Sequence, residues 1–173
     1  MMTSTVVRPG ETLPGRQPGP AGSPPLPQAR IEGIGTATTG ASYTQTEVLD
    51  YFGIADPRVR SVFENSAIDR RYLSLPPRDA GGTCFVEPQG ELLLKHRRLA
   101  LDMGSRALLE CLSACGADPS DVGFLACVTT TGFLTPGLSA LLVRQLGLDP
   151  GCHRVDVVGM GCNAGLNGLN AVA

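Results

Sequence analysis

Residues 153–168 read HRVDVVGMGCNAGLNG, and this stretch decides both the fold and its chemistry. Its first half is rich in β-branched residues and predicts a buried strand. Gly159 and Gly161 then allow a sharp turn, and the small residues from Asn163 onward predict the start of a helix. The pattern therefore predicts a strand-to-helix elbow with Cys162 at its tip.

Cys162 at such an elbow is a candidate nucleophile. The dipole and the unsatisfied backbone N–H groups of a helix start favour a thiolate, and the flanking glycines leave room for a bulky substrate. Covalent acyl transfer requires both features. The alternative is that Cys162 is a packing residue, because cysteine is among the most buried residue types. The local sequence leaves both interpretations open.

The composition excludes several classes of function. The chain has 173 residues, enough for one domain with a substantial core. Its net charge of −2 gives no basic footprint for nucleic acid, and no apolar run reaches the length of a membrane span. The N-terminus lacks the apolar segment of a secretory signal. We therefore predict a cytoplasmic protein whose six cysteines are reduced thiols rather than a disulfide framework.

The character of the sequence changes after residue 29. Residues 1–29 carry many prolines together with Gly, Ser and Arg and almost no bulky apolar groups, which predicts a disordered tail. Residues 30–173 are predicted to form one ordered α/β domain.

The ordered part opens with a predicted strand of small residues over 30–38. Its Gly33 and Gly35 resemble the start of a dinucleotide-binding loop. The third glycine falls at Gly40, so the spacing G-x-G-x-x-G fails and this interpretation is rejected.

Caps and periodicity predict the other elements. Overlapping capping boxes at Ser42 and Thr44 and an Asp-Pro pair at residues 56–57 each mark a helix start. The first predicted helix runs from these overlapping boxes to about residue 52, and the others cover 56–65, 89–115 and 138–146. The predicted strands cover 122–131, before the last of these helices, and 153–158, after it. Strands that alternate with helices imply a layered α/β architecture around a largely buried sheet.

The long helix carries two cysteines and a histidine in its apolar stripe. Cys111 and Cys115 lie one turn apart, but a metal site needs two further ligands that the sequence does not place nearby. We therefore expect core packing for this pair, and a half-buried structural role for His96.

Four motifs follow one another along the ordered part of the chain. They are IGTAT at 34–38 with Gln45 seven residues on, NSAIDRRY at 65–72, TTTGFLTPG at 129–137 and GCNAG at 161–165. Together they resemble the N-terminal half of a type III polyketide synthase, one of the chalcone-synthase-like enzymes of the thiolase superfamily. The resemblance covers residues 30–173 and implies a thiolase-like layered fold, of which this chain would be a truncated N-terminal domain.

The resemblance also implies a reaction. Cys162 would attack the thioester of malonyl-CoA, and further malonyl units would extend the chain by decarboxylative Claisen condensation in a homodimeric enzyme without metal or redox cofactor. Asn163 departs from the plant pattern, in which an aromatic residue usually follows the cysteine, and points to a bacterial branch. The family's catalytic His and Asn would lie beyond Ala173, and neither His96 nor His153 falls on that histidine. We therefore expect this chain to be inactive alone.

Further site residues are implied by the same resemblance. Thr130 and Thr131 fall where a strand end lines the acyl pocket. Thr135 falls where a loop residue reaches across the dimer into the partner's site, the alternative being that it begins a turn before Pro136.

Arg58 is the candidate for binding the phosphates of CoA. It falls on one of the basic positions that hold those phosphates in the plant enzymes. Ser61 and Asn65 stand at two others, so this chain lacks two of the cations.

Two alternative functions stay open. One is another thiolase-superfamily condensing enzyme, such as a ketoacyl synthase, which the downstream pocket would distinguish. The other is a non-catalytic half-protein that docks on a full-length synthase.

Overall fold

A computed structural model of the chain describes residues 2–10 and 28–173. Its strands are β1 (Met2–Gly10), β2 (Gln28–Ala37), β3 (Ser42–Thr44), β4 (Arg70–Tyr72), β5 (Phe124–Thr129) and β6 (His153–Val158). Its helices are α1 (Gln45–Tyr51), α2 (Pro57–Glu64), α3 (Gln89–Cys115), α4 (Leu138–Leu146) and α5 (Ala164–Val172). The described chain divides into a smaller unit, residues 38–95, and a larger unit, residues 2–10, 28–37 and 96–173.

The N-terminal segment differs from the sequence prediction. Where a disordered tail is predicted over 1–29, residues Met2–Gly10 form β1, which pairs antiparallel with β2 from Gln28 onward. The physical reason lies in the TSTVV run of β1, whose β-branched residues favour extended backbone despite the prolines that follow. The rest of the predicted tail, residues 11–27, lies outside the described residues.

The first helix of the smaller unit, α1, follows β3 directly and is capped by Thr44. The Thr44 hydroxyl accepts from the Glu47 N–H at 3.2 Å, and the Glu47 carboxylate accepts from the Thr44 N–H at 2.6 Å, so the capping box predicted there is confirmed. The overlapping box at Ser42 does not form, because Ser42 lies in β3 and pairs with Tyr72 of β4. The strand β4 was missed at the sequence level, since its three residues are too short and too basic to show a strand pattern.

The helix α2 begins as the Asp-Pro pair predicts. The carboxylate of Asp56 accepts from the Arg58 N–H at 2.8 Å, and Pro57 occupies the first helical position. The helix ends at Glu64, within a residue of the predicted end.

In the larger unit, β2 packs on α3 with almost no space between the two backbones. A Cβ at Gly35 would overlap the Ala107 carbonyl oxygen and lie 2.5 Å from the Cys111 nitrogen, and one at Gly33 would lie 2.9 Å from the Cys111 oxygen. The two glycines that imitate a nucleotide loop are therefore required for the close approach of strand and helix.

The core of the larger unit lies between α3, α4 and β5. It is built from aliphatic side chains and two cysteines: Ala100, Leu108, Leu112, Leu125, Cys127, Leu138, Leu142, Leu148 and Cys152. The buried face of α3 confirms the helical periodicity read from the sequence.

The strands β5 and β6 form a parallel pair, in register from Phe124 opposite His153 to Thr129 opposite Val158. Their carboxyl ends therefore lie side by side at one edge. The strand β6 is confirmed, but its predicted burial is wrong, because its residues are half-buried or exposed. Within the described residues β6 pairs with one strand, β5.

A carboxylate from β6 caps the start of α4. The N-cap residue is Gly137, which has no side chain, and Asp156 accepts from the Ser139 N–H at 3.0 Å and from the Ser139 hydroxyl at 2.5 Å. A Cβ at Gly137 would overlap this carboxylate, with the Asp156 Cγ at 2.7 Å. The cap therefore ties the loop before α4 to the strand that leads into the elbow.

Replacement of Asp156 by alanine is expected to lower the free energy of unfolding by about 1–2 kcal/mol, because it removes a helix cap. The measurement is a urea unfolding curve. The matched control is Asp102→Ala, which removes only an exposed ion pair with Arg106 and should change stability by less than about 0.5 kcal/mol. Equal effects of the two substitutions would contradict the capping role.

Candidate active site

The elbow is formed by two glycines with positive φ. After β6 ends at Val158, Gly159 has φ of 74° and Gly161 has φ of 85°, values that L side chains rarely adopt. The Gly159 N–H donates to the Thr129 oxygen at 3.2 Å, and the Ala164 N–H donates to the Gly161 oxygen at 3.1 Å. The turn thus joins the strand end directly to α5, as the sequence predicts.

Cys162 lies on this turn and is exposed. All six cysteines lie within the described residues, none forms a disulfide, and Cys162 is the one among them with an exposed side chain. Asn163 is the N-cap residue of α5, and its side chain makes no cap hydrogen bond. The residues beside the Cys162 thiol are therefore a glycine and an asparagine whose side chain does not cap the helix. The position gives a substrate thioester access to the sulfur from solvent.

The other thiols differ from Cys162 in burial. Burial, with smaller contributions from Asp156 and Cys152, raises the pKa of Cys127 to about 12. Burial also raises the pKa of Cys152. Because the thiolate is the reactive form, both groups are poor nucleophiles. Cys84 is half-buried and donates to the Tyr51 carbonyl oxygen, with sulfur and oxygen 3.2 Å apart.

The two cysteines of α3 are held within the fold by burial and by contact with backbone carbonyl groups. Cys111 is fully buried, and the Cys115 thiol donates to the Cys111 carbonyl oxygen at 3.2 Å. In the ranges that the structure describes, no group of three or more His, Cys, Asp or Glu side chains could hold a metal ion.

The described helices were also compared with the length and apolar character of a membrane span. Among residues 2–10 and 28–173, none of the helices meets both requirements.

Native thiol reactivity should follow these surroundings. With a thiol reagent at pH 8, Cys162 is expected to react first, and Cys127 at least about a hundredfold more slowly, because burial keeps it protonated. Peptide mapping after a short pulse measures the order, and all six cysteines should react after denaturation. Labelling of Cys127 or Cys152 ahead of Cys162 would contradict the assignment of the exposed thiol.

The threonine-rich loop lies beside the elbow. Thr130, Thr131 and Thr135 are all exposed on the segment that follows β5. The segment starts at the end of β5, where the Thr129 carbonyl oxygen accepts from the Gly159 N–H of the turn that carries Cys162, at 3.2 Å. Thr130 and Thr131 therefore follow β5 at the same edge of the sheet as the turn that carries Cys162, and Thr135 lies farther along the segment toward α4.

Arg58 belongs to the smaller unit. It is exposed on α2. The two positions that lack cations are engaged with each other, since the Asn65 side-chain amide donates to the Ser61 hydroxyl at 3.0 Å and to its carbonyl oxygen at 2.7 Å.

Two residues near the loop were not recognised as site residues from sequence. His96 approaches the Thr131 hydroxyl at 3.0 Å, a contact between positions 35 apart for which no local signal exists. Asp156 had a signal, because it is an isolated charge within the apolar run of β6. A carboxylate in such a run requires a partner, and here the partner is the start of α4.

Comparisons with known proteins show which family and which relatives the chain is similar to. Residues 27–173 match the family described as "Chalcone and stilbene synthases, N-terminal domain". The chain is 62% identical over 144 residues to 3,5-dihydroxyphenylacetyl-CoA synthase of Amycolatopsis balhimycina, a match that covers 83% of this chain and 39% of that protein. The chain thus spans about two fifths of the length of the curated relatives it matches.

Solved structures give the same fold. PKS-I from the brown alga Ectocarpus siliculosus superposes with a TM-score of 0.70 at 27% identity, covering 82% of this chain and 42% of that one. The C-terminal type III polyketide synthase domain of Steely1 from Dictyostelium superposes with a TM-score of 0.66 at 26% identity, with the same coverage. The predicted thiolase-like α/β fold is confirmed.

Proposed function

The chain belongs to the family of chalcone and stilbene synthases, and we propose that it carries the nucleophile of a type III polyketide synthase that condenses malonyl-CoA. The observation that carries the proposal is the exposed Cys162 on the glycine-framed elbow between β6 and α5. Acyl transfer through a covalent intermediate needs an accessible thiol beside small residues, and this position supplies both.

The proposed loading step is a thioester exchange. The Cys162 thiolate attacks the carbonyl carbon of the malonyl-CoA thioester, the carbon–sulfur bond to CoA breaks, and the CoA thiolate leaves with the electron pair. The acyl group is then held on Cys162. Negative charge develops on the carbonyl oxygen in this step, so hydrogen-bond donors around the sulfur accelerate it.

The proposed extension step forms a carbon–carbon bond. A further malonyl-CoA loses CO2, and the electron pair of the broken bond gives an enolate. The enolate carbon attacks the thioester on Cys162, and the cysteine leaves as thiolate. The extended chain is then a CoA thioester, and its transfer back to Cys162, with the CoA thiolate as leaving group, lets the step repeat. Cyclisation and aromatisation with loss of water yield an aromatic acyl-CoA.

Other residues take supporting roles in this proposal. Thr130 and Thr131 line the acyl pocket, which is supported by their exposure on the loop beside the elbow. Thr135 reaches into the site of a partner subunit in a homodimer, and its exposure on the same loop is compatible with that contact. Arg58 contacts a CoA phosphate through its exposed side chain.

The product we propose is 3,5-dihydroxyphenylacetyl-CoA, the precursor of dihydroxyphenylglycine in glycopeptide-type antibiotics. The support is the 62% identity to a relative named as the synthase of this compound, together with Asn163 after the nucleophile. A cytoplasmic location is part of the proposal, since six cysteines without a disulfide suit a reducing compartment.

The test is incubation of the full-length protein with malonyl-CoA alone, followed by mass spectrometry of the CoA products. The proposal predicts CO2 release and an aromatic dihydroxyphenylacetyl product. A single condensation to a short β-ketoacyl thioester would support a ketoacyl synthase instead, and no release of CoA would support a non-catalytic docking protein. Light scattering of the same sample should give the mass of a dimer.

A further inference from the structure

His96 on α3 packs against the loop that follows β5. Its Nδ1 lies 3.0 Å from the Thr131 hydroxyl oxygen. A Cβ at Gly132 would approach the ring to 2.7 Å at Cδ2, so the imidazole occupies the space that Gly132 leaves open. The helix, the ring and the loop are thus in direct contact.

The protonation of the ring follows from its surroundings. Burial lowers the pKa of His96, so the imidazole is neutral at neutral pH. Its other nitrogen, Nε2, is buried and has no hydrogen-bond partner in the described part of the chain. A neutral imidazole carries one N–H, and a buried N–H without an acceptor is rarer and costlier than an unsatisfied lone pair. The proton is therefore assigned to Nδ1, which donates to Thr131.

This assignment fixes the role of the Thr131 hydroxyl. Its oxygen accepts from His96, so its own hydrogen is directed elsewhere. The nearest alternative acceptor is the Thr129 hydroxyl at 3.4 Å, longer than an ordinary O–H···O bond. Thr131 is exposed and lies two residues after Thr129, whose carbonyl oxygen accepts from the Gly159 N–H of the elbow at 3.2 Å. Its O–H is therefore available to an acceptor on a substrate bound at this edge of the sheet.

We propose that His96 is a positioning residue that holds the Thr131 hydroxyl as a hydrogen-bond donor to the carbonyl oxygen of the thioester attacked by Cys162. The inference rests on the proposed function and deepens it, since it gives Thr131 a chemical role. His96 does not touch the substrate. It fixes one rotamer and one proton direction at the residue that does.

The test uses paired variants of the full-length protein. His96→Asn keeps an N–H near the position of Nδ1, whereas His96→Gln places its amide near the position of Nε2 and loses the bond. Thr131→Ser keeps the hydroxyl, and Thr131→Val removes it with little change of shape. The readout is the single-turnover rate at which malonyl-CoA acylates Cys162, followed by intact mass.

His96→Gln and Thr131→Val are each expected to slow acylation about tenfold, the effect of one lost hydrogen bond. His96→Asn and Thr131→Ser should stay within about threefold of the wild-type rate. The double variant of His96→Gln with Thr131→Val should be no slower than either single one, because the two residues act through one interaction. If His96→Gln fails to fold, the Thr131 pair tests the hydroxyl, and the His96 tautomer of the wild-type protein tests the positioning role.

The tautomer gives a second readout that does not depend on turnover. Nitrogen-15 NMR of the wild-type protein should show the His96 proton on Nδ1. A proton on Nε2 would overturn the inference. So would an acylation rate in the double variant that is lowered by the product of the two single effects, or a wild-type acylation rate in the folded His96→Gln protein. Failure of the wild-type protein itself to be acylated would instead overturn the proposed function.

Discussion

Replacement of Cys162 by alanine is expected to abolish chain extension, with malonyl-CoA turnover falling at least about a thousandfold. The substitution removes the sulfur that forms the acyl intermediate, and no other thiol of the described chain has the same exposure. Steady-state release of CoA from malonyl-CoA measures the effect. Because Cys162 is exposed on a turn, the unfolding midpoint should remain that of the wild-type protein.

The matched control is Cys84→Ala. It removes a half-buried thiol whose contact is the Tyr51 carbonyl oxygen, and turnover should stay within about twofold. Cys127 is unsuitable as a control, because it belongs to the hydrophobic core and its truncation would destabilise the fold. Loss of turnover in both variants, or in neither, would contradict the assignment of Cys162 as the nucleophile.

Replacement of Gly35 by alanine is expected to destabilise the protein by about 3 kcal/mol or more, or to prevent folding. The added Cβ would overlap the Ala107 carbonyl oxygen and approach the Cys111 nitrogen to 2.5 Å, and both are backbone atoms on the buried face of α3. Neither can move without displacing α3 from β2. Denaturant unfolding, or soluble yield if the variant does not fold, measures the loss.

Two further glycine-to-alanine substitutions should show how the loss of stability depends on the space around the added Cβ. Gly33→Ala meets the Cys111 oxygen at 2.9 Å and should cost less than Gly35→Ala. Gly40→Ala, with nothing within 4 Å of the added Cβ, should leave stability unchanged or raise it by about 0.4–1 kcal/mol. A Gly35→Ala protein as stable as the Gly40→Ala protein would contradict the close packing of β2 on α3.

Elements with a local cause were predictable from sequence. The helices α1 and α2 follow their caps at Thr44 and Asp56, and α4 was predicted with its observed bounds. The elbow was predictable for the same reason, since strand, glycines, Cys162 and helix are contiguous. The strand β1 was not, because it depends on pairing with β2 across intervening prolines, and pairing is not visible in a local window.

The surroundings of the nucleophile were only partly predictable. The contact of His96 with Thr131 joins positions 35 apart, and the cap from Asp156 to Ser139 joins positions 17 apart. Both depend on how α3 and β6 pack around the loop. The role of Gly33 and Gly35 was unpredictable for the same reason. Their spacing resembles a nucleotide-binding loop, but in the structure they allow the backbone of α3 to approach β2, which is distant in the sequence.

The most direct test of the central claim is to identify the residue that carries the acyl group. The full-length protein is mixed with heavy-isotope malonyl-CoA, quenched in acid within the first turnover, digested and mapped by mass spectrometry. A heavy acyl thioester is expected on the peptide that contains Cys162, released by hydroxylamine, and none is expected in the Cys162→Ala protein. A label on the peptide of Cys127 or Cys152, or product formation without any acylated cysteine, would contradict that claim.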